Sequence, residues 1–141
     1  AQIVTFDTTE SQTGITKGTG TGSVANSRFT LPSTGEYRFD VSAQVDSTAS
    51  TPQLRLWMRA AAAGGTPADV ARTTTVVTIT SAIISVLSVP FIYNCTAVGD
   101  IVEFWISGES TAARLYAEAA GVSPTRPAAP SVILVIQKVS K

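Results

Sequence analysis

Glu36-Tyr37-Arg38-Phe39-Asp40-Val41-Ser42-Ala43-Gln44-Val45-Asp46 decides the fold class. Tyr37, Phe39, Val41, Ala43 and Val45 alternate strictly with Arg38, Asp40, Ser42, Gln44 and Asp46. A period of two puts every apolar residue on one face of an extended chain, the pattern of a half-buried strand. Leu31-Pro32-Ser33-Thr34-Gly35 leads into it: Pro presets a turn and Gly permits positive φ, so 27–31 reads as a short neighbouring strand. Downstream of a Ser/Thr/Pro loop at 47–52, the alternation returns, with Leu54, Leu56 and Met58 against Arg55, Trp57 and Arg59.

The remainder carries the same signature. Residues 70–80 are Thr-rich and β-branched, and 83–93 is apolar on both faces, so both read as strands. Pro90 lacks a ladder donor and places its strand at a sheet edge or a bulge. Val98-Gly99-Asp100 turns the chain into a strand at 101–106, and further strands at 114–119 and 131–139 flank a loop, 120–130, that holds Pro124, Pro127 and Pro130. Four alanines at 60–63 before Gly64-Gly65 are too few to nucleate a helix and read as a loop, with one helical turn at most. Many short strands between Gly, Pro, Ser and Thr punctuation predict an all-β, antiparallel β-sandwich without substantial helix, the jelly roll being the favoured version. Residues 1–26 read as an N-terminal strand, marked by Ile3, Val4 and Phe6, followed by a flexible Gly/Thr-rich arm that includes Gly18, Gly20 and Gly22; residues 27–141 form the sandwich domain.

Composition narrows the function classes. The 141 residues carry 14% charged side chains and no formal net charge, with 44% hydrophobic residues. Disordered chains show the reverse balance. Without a basic field there is nothing to draw in nucleic acid or an anionic membrane surface. The longest apolar stretches fall short of the roughly 20 residues of a membrane-spanning helix, and no stretch reads as a signal peptide. Cys95 is the single cysteine, so the fold needs no disulfide and suits synthesis in a reducing cytoplasm.

Histidine is absent, which eliminates Ser-His-Asp and Cys-His nucleophile systems and the commonest zinc sites; no cofactor and no metal are expected. Cys95 reads as a small buried hydrophobe. Two carboxylate pairs come under consideration for glycoside hydrolysis, Glu36 with Asp40 and Asp100 with Glu103. The first pair lies roughly 13 Å apart by strand rise, and the second points to opposite faces. Gly18-Thr19-Gly20-Thr21-Gly22 has no following Lys-Ser/Thr and no helix, so it reads as a flexible loop and not a phosphate cradle. Trp57 and Trp105, the former between Arg55 and Arg59 on one strand face, suit a protein interface, with a sugar-stacking platform as the alternative.

The two-faced strands carry the most information. In 132–137, Val132, Leu134 and Ile136 point one way and Ile133 and Val135 the other, so both faces demand burial. The strand at 83–93 makes the same demand. Either another subunit covers the outer face, or the loop at 120–130 does.

Several segments, in order, resemble the small C1q/TNF-like jelly rolls of tailed-bacteriophage structural proteins. Gly35-Glu36-Tyr37-Arg38-Phe39 looks like their Gly-x-Tyr-x-Phe strand and Leu56-Trp57-Met58-Arg59 like the strand that follows it. Val98-Gly99-Asp100-Ile101-Val102-Glu103-Phe104-Trp105 is similar to their Gly-Asp-x-Val strand, and Pro130-Ser131-Val132-Ile133-Leu134-Val135 to the closing strand. The aromatic-Gly pair near the end of C1q domains is missing, so neither calcium sites nor receptor contacts carry over. The resemblance implies a non-enzymatic homotrimer in a virion, assembled in the bacterial host cytoplasm. At most 26 residues precede the sandwich, enough for an anchoring arm and not for a fibre shaft, so the expected role is a decoration, or cement, protein on the capsid surface that binds the major capsid protein. The alternative is a receptor-binding or fibre-tip module for host surface glycans. Trp57, Tyr93, Trp105, Ile133 and Val135 are the expected trimer-interface residues, and Ile3, Val4 and Phe6 the expected capsid-anchoring arm.

Overall fold

The structure, a computed structural model, describes residues 1–6, 13–18, 26–49 and 51–139. Thirteen strands follow one another among the described residues: β1 (Gln2–Ile3), β2 (Thr16–Lys17), β3 (Phe29–Thr30), β4 (Gly35–Ser47), β5 (Gln53–Ala61), β6 (Ala68–Asp69), β7 (Thr75–Thr78), β8 (Ser85–Cys95), β9 (Ile101–Gly108), β10 (Ala113–Leu115), β11 (Gly121–Val122), β12 (Thr125–Arg126) and β13 (Val132–Lys138). No helix occurs among the described residues. All pairings are antiparallel.

Two sheets face each other across one core. In the first, β5 and β9 form the centre, β6 and β7 flank β5, and β3 and β1 flank β9, with β2 beyond β3. In the second, β4 is central, β8 lies along one side, and β13 and β10 lie end to end along the other. The chain passes from sheet to sheet between β3 and β4, β4 and β5, β7 and β8, β8 and β9, and β9 and β10. The alternating residues of β4 turn inward as expected: Tyr37, Phe39, Val41, Ala43 and Val45 are all 1% exposed or less. Leu54, Leu56 and Met58 meet them from β5, and Val102, Phe104 and Ile106 from β9. Phe104 is the hinge of the packing, edge-on to Phe39 at 5.7 Å between ring centroids and tilted against Phe91 at 5.4 Å. Such pairs add about 1 kcal/mol to simple burial.

Among the described residues β8 pairs with β4 alone, an edge position that suits Pro90. The predicted strand at 70–80 is instead split. Arg72 adopts φ of 65°, and the Thr73 hydroxyl takes over ladder duties, donating to Val70 O at 2.7 Å and accepting Met58 N–H at 3.2 Å. The Ala60–Ala63 segment extends β5 by two residues and then turns, Gly65 N–H donating to Ala62 O at 2.9 Å.

The N-terminal residues overturn one expectation. Ile3, Val4 and Phe6 do not form a projecting anchor: Ile3 pairs with Trp105 in β9, Val4 N–H donates to Phe104 O at 2.8 Å, and Val4 and Phe6 are core residues at 1% and 9% exposure. Phe6 meets Phe29 edge-on at 5.3 Å. Residues as apolar as these gain more from their own core than from water. The described part of 1–26 is thus built into the first sheet. Of the glycine run, Gly18 donates its N–H to Arg28 O at 2.9 Å, and residues 19–22 lie outside the described residues.

Candidate functional site

Outward residues of the second sheet form a face with a polar spine and apolar borders. Register places Ile133 beside Ser42 and Ser42 beside Ser88; the next row is Val135, Asp40 and Pro90, and the next Gln137, Arg38 and Ile92. Ile133 and Val135 are 53% and 54% exposed, while Val86 and Ile92 on the far border reach 66% and 50%. Within the spine Arg38 and Asp40 pair with each other, Arg38 Nε lying 2.9 Å from both Asp40 carboxylate oxygens. The segment at 120–130 therefore does not cover Ile133 and Val135 within the chain.

The first sheet turns a different surface outward. Trp57 and Trp105 are cross-strand neighbours, 6.5 Å between centroids and tilted by 33°. Each indole is anchored: Trp57 Nε1 donates to Asp69 Oδ1 at 2.9 Å and Trp105 Nε1 to Glu103 Oε1 at 2.7 Å. The Arg59 guanidinium covers one side of the Trp105 ring at 4.7 Å, a cation–π contact. Glu103, although on the outward row, is only 2% exposed and also meets Arg28. An open cleft of about 450 Å³ borders Trp105 beside Ala1, Gln2 and Ile3.

The expected interface residues thus separate. Trp57 and Trp105 stand on one outer face of the sandwich and Ile133 and Val135 on the opposite one. Tyr93 is on neither, since it pairs with Tyr37 on the inward row, packs against the core and donates its hydroxyl to Asp100 Oδ2 at 3.1 Å. Burial, then the Asp100 charge and hydrogen bond, push the Tyr93 phenol up to about 12. Cys95 is buried, donates to Ala97 O at 3.1 Å, and has its thiol raised by burial first and by Asp100 second. Asp100, 1% exposed, also accepts Thr96 N–H at 3.1 Å.

The four carboxylates considered for hydrolysis do not converge. Glu36 and Asp40 are on the outer row of the second sheet, Glu103 on that of the first, and Asp100 sits in the turn before β9. Among the described residues no group of three or more His, Cys, Asp or Glu is placed to hold a metal ion. No helix there is long and apolar enough to cross a membrane.

Sequence reading missed one feature, having taken 120–130 as plain loop. β11 and β12 form a ribbon, extended by mutual hydrogen bonds between Glu118 and Ala129 at 3.0 and 2.8 Å and by an ion pair of Arg126 with Glu118. Both legs start at one residue of β4: Gln44 N–H donates to Ser131 O at 2.7 Å, and Gln44 O accepts Tyr116 N–H at 2.8 Å. The glycine at 121, whose Cβ would fall 2.7 Å from Arg126 Cγ, was the available signal.

No model of a known protein family matches the chain, and no curated protein shows significant similarity to it.

Proposed function

We propose that this chain is a non-enzymatic structural protein of a phage virion, a jelly-roll homotrimer that decorates the head and stabilises it. The observation that carries this reading is the uncovered apolar border of β13, whose Ile133 and Val135 are more than half exposed beside an Arg38–Asp40 pair that satisfies its own charges. Exposed apolar side chains lined up along a strand mark a surface suited to contact with another protein. Support also comes from the strand order, with β3, β9, β5 and β7 in one sheet and β13, β4 and β8 in the other, which fits a jelly roll. The ordered resemblance to C1q/TNF-like phage proteins points to a trimer. With only 14% charged residues, the chain suits a protein much of whose surface is covered by neighbours and by a capsid floor. Stabilisation is then binding-linked: occupancy at 100 times Kd adds about 2.7 kcal/mol to the bound state.

Two measurements test it. The chain is expected to sediment as a trimer and Ile133→Asp as a monomer; a stable trimer after that substitution overturns the assignment of β13 to the interface. Heads carrying the protein should resist heat or osmotic shock better than heads without it, and equal resistance sinks the cement role.

The second reading, recognition of a host surface glycan, rests on the Trp57–Trp105 pair with the exposed Asp69 carboxylate beside it. Stoichiometric binding to isolated host envelope, lost in Trp57→Ala, would favour it.

A further inference from the structure

The outward rows of the first sheet place an apolar band between two charged rows. Register across β5, β9 and β1 puts Trp57, Trp105 and Ile3 side by side in one row. Asp69, Arg59 and Glu103 form the row on one side, and Arg55 belongs to the row on the other. The band crosses three strands, about 10 Å by strand spacing. At its Ile3 end the cleft of about 450 Å³ opens beside Trp105.

The chemistry left free on this band is narrow. Both indole N–H groups are committed, Trp57 to Asp69 and Trp105 to Glu103, so the rings offer their faces and no donor. Those bonds, with Arg59 against one side of Trp105, also fix the rings before a ligand arrives, which lowers the entropic cost of binding. The arginines of the flanking rows are paired too, Arg59 with Asp69 and Glu103 and Arg55 with Glu109, and present no unmatched charge to a phosphate or a uronate. Asp69, 73% exposed, keeps its carboxylate at the rim as an acceptor.

A ligand matched to these features is uncharged, flat, apolar on its faces and rich in hydroxyls at its edge. A pyranose of gluco configuration has that form, since its ring hydroxyls are all equatorial and its faces carry only C–H. The two indole planes are tilted by 33°, so a ligand that touches both must twist between one unit and the next. A single soluble chain does so; a flat crystalline surface does not.

We infer that the Trp57–Trp105–Ile3 band binds a neutral oligosaccharide of glucose type by stacking, with Asp69 accepting from its hydroxyls. The inference rests on the second reading above and names the class of glycan. It is independent of the trimer, because Ile133 and Val135 belong to the other sheet.

Trp57 and Trp105 are the two tryptophans of the chain, so indole fluorescence reports on this face alone. Cellohexaose and maltohexaose serve as neutral probes and a hexamer of galacturonate as the charged one. At least one neutral hexamer is expected to shift the emission saturably, with a Kd unchanged between about 0.1 and 1 M salt, a range over which attraction between exposed charges is screened away. By calorimetry, Trp57→Ala is expected to weaken that binding roughly tenfold, and Trp57→Phe, which restores a ring face, to recover part of it. The far-ultraviolet spectrum checks that each variant keeps its β signature. No response to either neutral hexamer overturns the inference, as does galacturonate binding as tight as theirs, or neutral binding that both Trp57 variants leave untouched. Envelope binding that still depends on Trp57 then keeps the second reading. Hexamer binding without envelope binding establishes the sugar site and sinks the host-surface reading.

Discussion

Arg28 reaches across 75 positions of sequence to bring its Nε to 3.1 Å from Glu103 Oε2. Glu103 is on the outward row of β9, where a carboxylate normally meets water, but Arg28, the Trp105 indole and the Arg59 guanidinium at 3.8 Å leave it 2% exposed. Burial of a charge is tolerated because donors surround it.

Glu103→Leu strips three groups of their shared partner. Loss of one side of a buried ion pair costs about 3–5 kcal/mol, and because Arg28 and Arg59 keep access to water the expected loss is nearer 2 kcal/mol. A urea midpoint unchanged from wild type would show that the cluster contributes nothing to stability.

Tyr93 and Asp100 govern the alkaline limb. The phenol is held neutral in the folded protein up to about 12, against an ordinary value of 10.0. Above 10 the unfolded chain sheds this proton and the folded one does not, so the contribution is fully present below 10 and is lost as pH rises toward 12. The raised Cys95 thiol acts in the same direction from above 9.0. Urea titrations at a series of pH values should show a shallower alkaline fall for Tyr93→Phe than for wild type.

Asp46 and Arg114 govern the acid limb. Arg114 Nε and Nη2 grip the two Asp46 oxygens at 2.7 and 2.9 Å, and this hydrogen bonding, against the opposing effect of burial, holds the carboxyl below 3.8. The stabilisation is present above 3.8 and disappears as pH falls through the lower folded value. Arg114→Met should flatten stability against pH below about 4. It should also free β10 from β4 and loosen the base of the ribbon, measurable as faster amide exchange at Leu115 and Tyr116.

Gly99 turns the chain into β9 with φ of 91°, and a Cβ there would stand 3.0 Å from Ala63 Cβ. Gly64, at φ of 73°, has nothing within 4 Å of its own virtual Cβ. Gly64→Ala is expected to lose about 1 kcal/mol from backbone strain alone, and Gly99→Ala more than that because contact with Ala63 adds to it. Thermal melts of the two variants separate strain from crowding; equal losses would remove the crowding contribution.

The strand at 36–46, the turns at Gly35 and Gly99, an edge or bulge at Pro90 and the burial of Cys95 were all legible in residue order. Each depends on interactions within a few positions: a period of two, a residue free to take positive φ, a missing N–H, a side chain among apolar neighbours. The site was legible only in part. That Ile133 and Val135 face away from Val132, Leu134 and Ile136 follows from alternation, and so does the pairing of Trp57 with Arg55 and Arg59 on one row. Alternation says which residues share a face and leaves open what that face meets. Residues 83–93 are apolar on both sides, so Tyr93 could be assigned inward only through its register with Tyr37. Trp57 and Ile133 went to opposite outer faces because β5 joins β9 while β13 joins β4. Val4 and Phe6 became core because β1 found β9, more than a hundred positions away. Those partners are chosen by long-range pairing, where closing a loop costs almost the same for many rival registers and the common core selects among them.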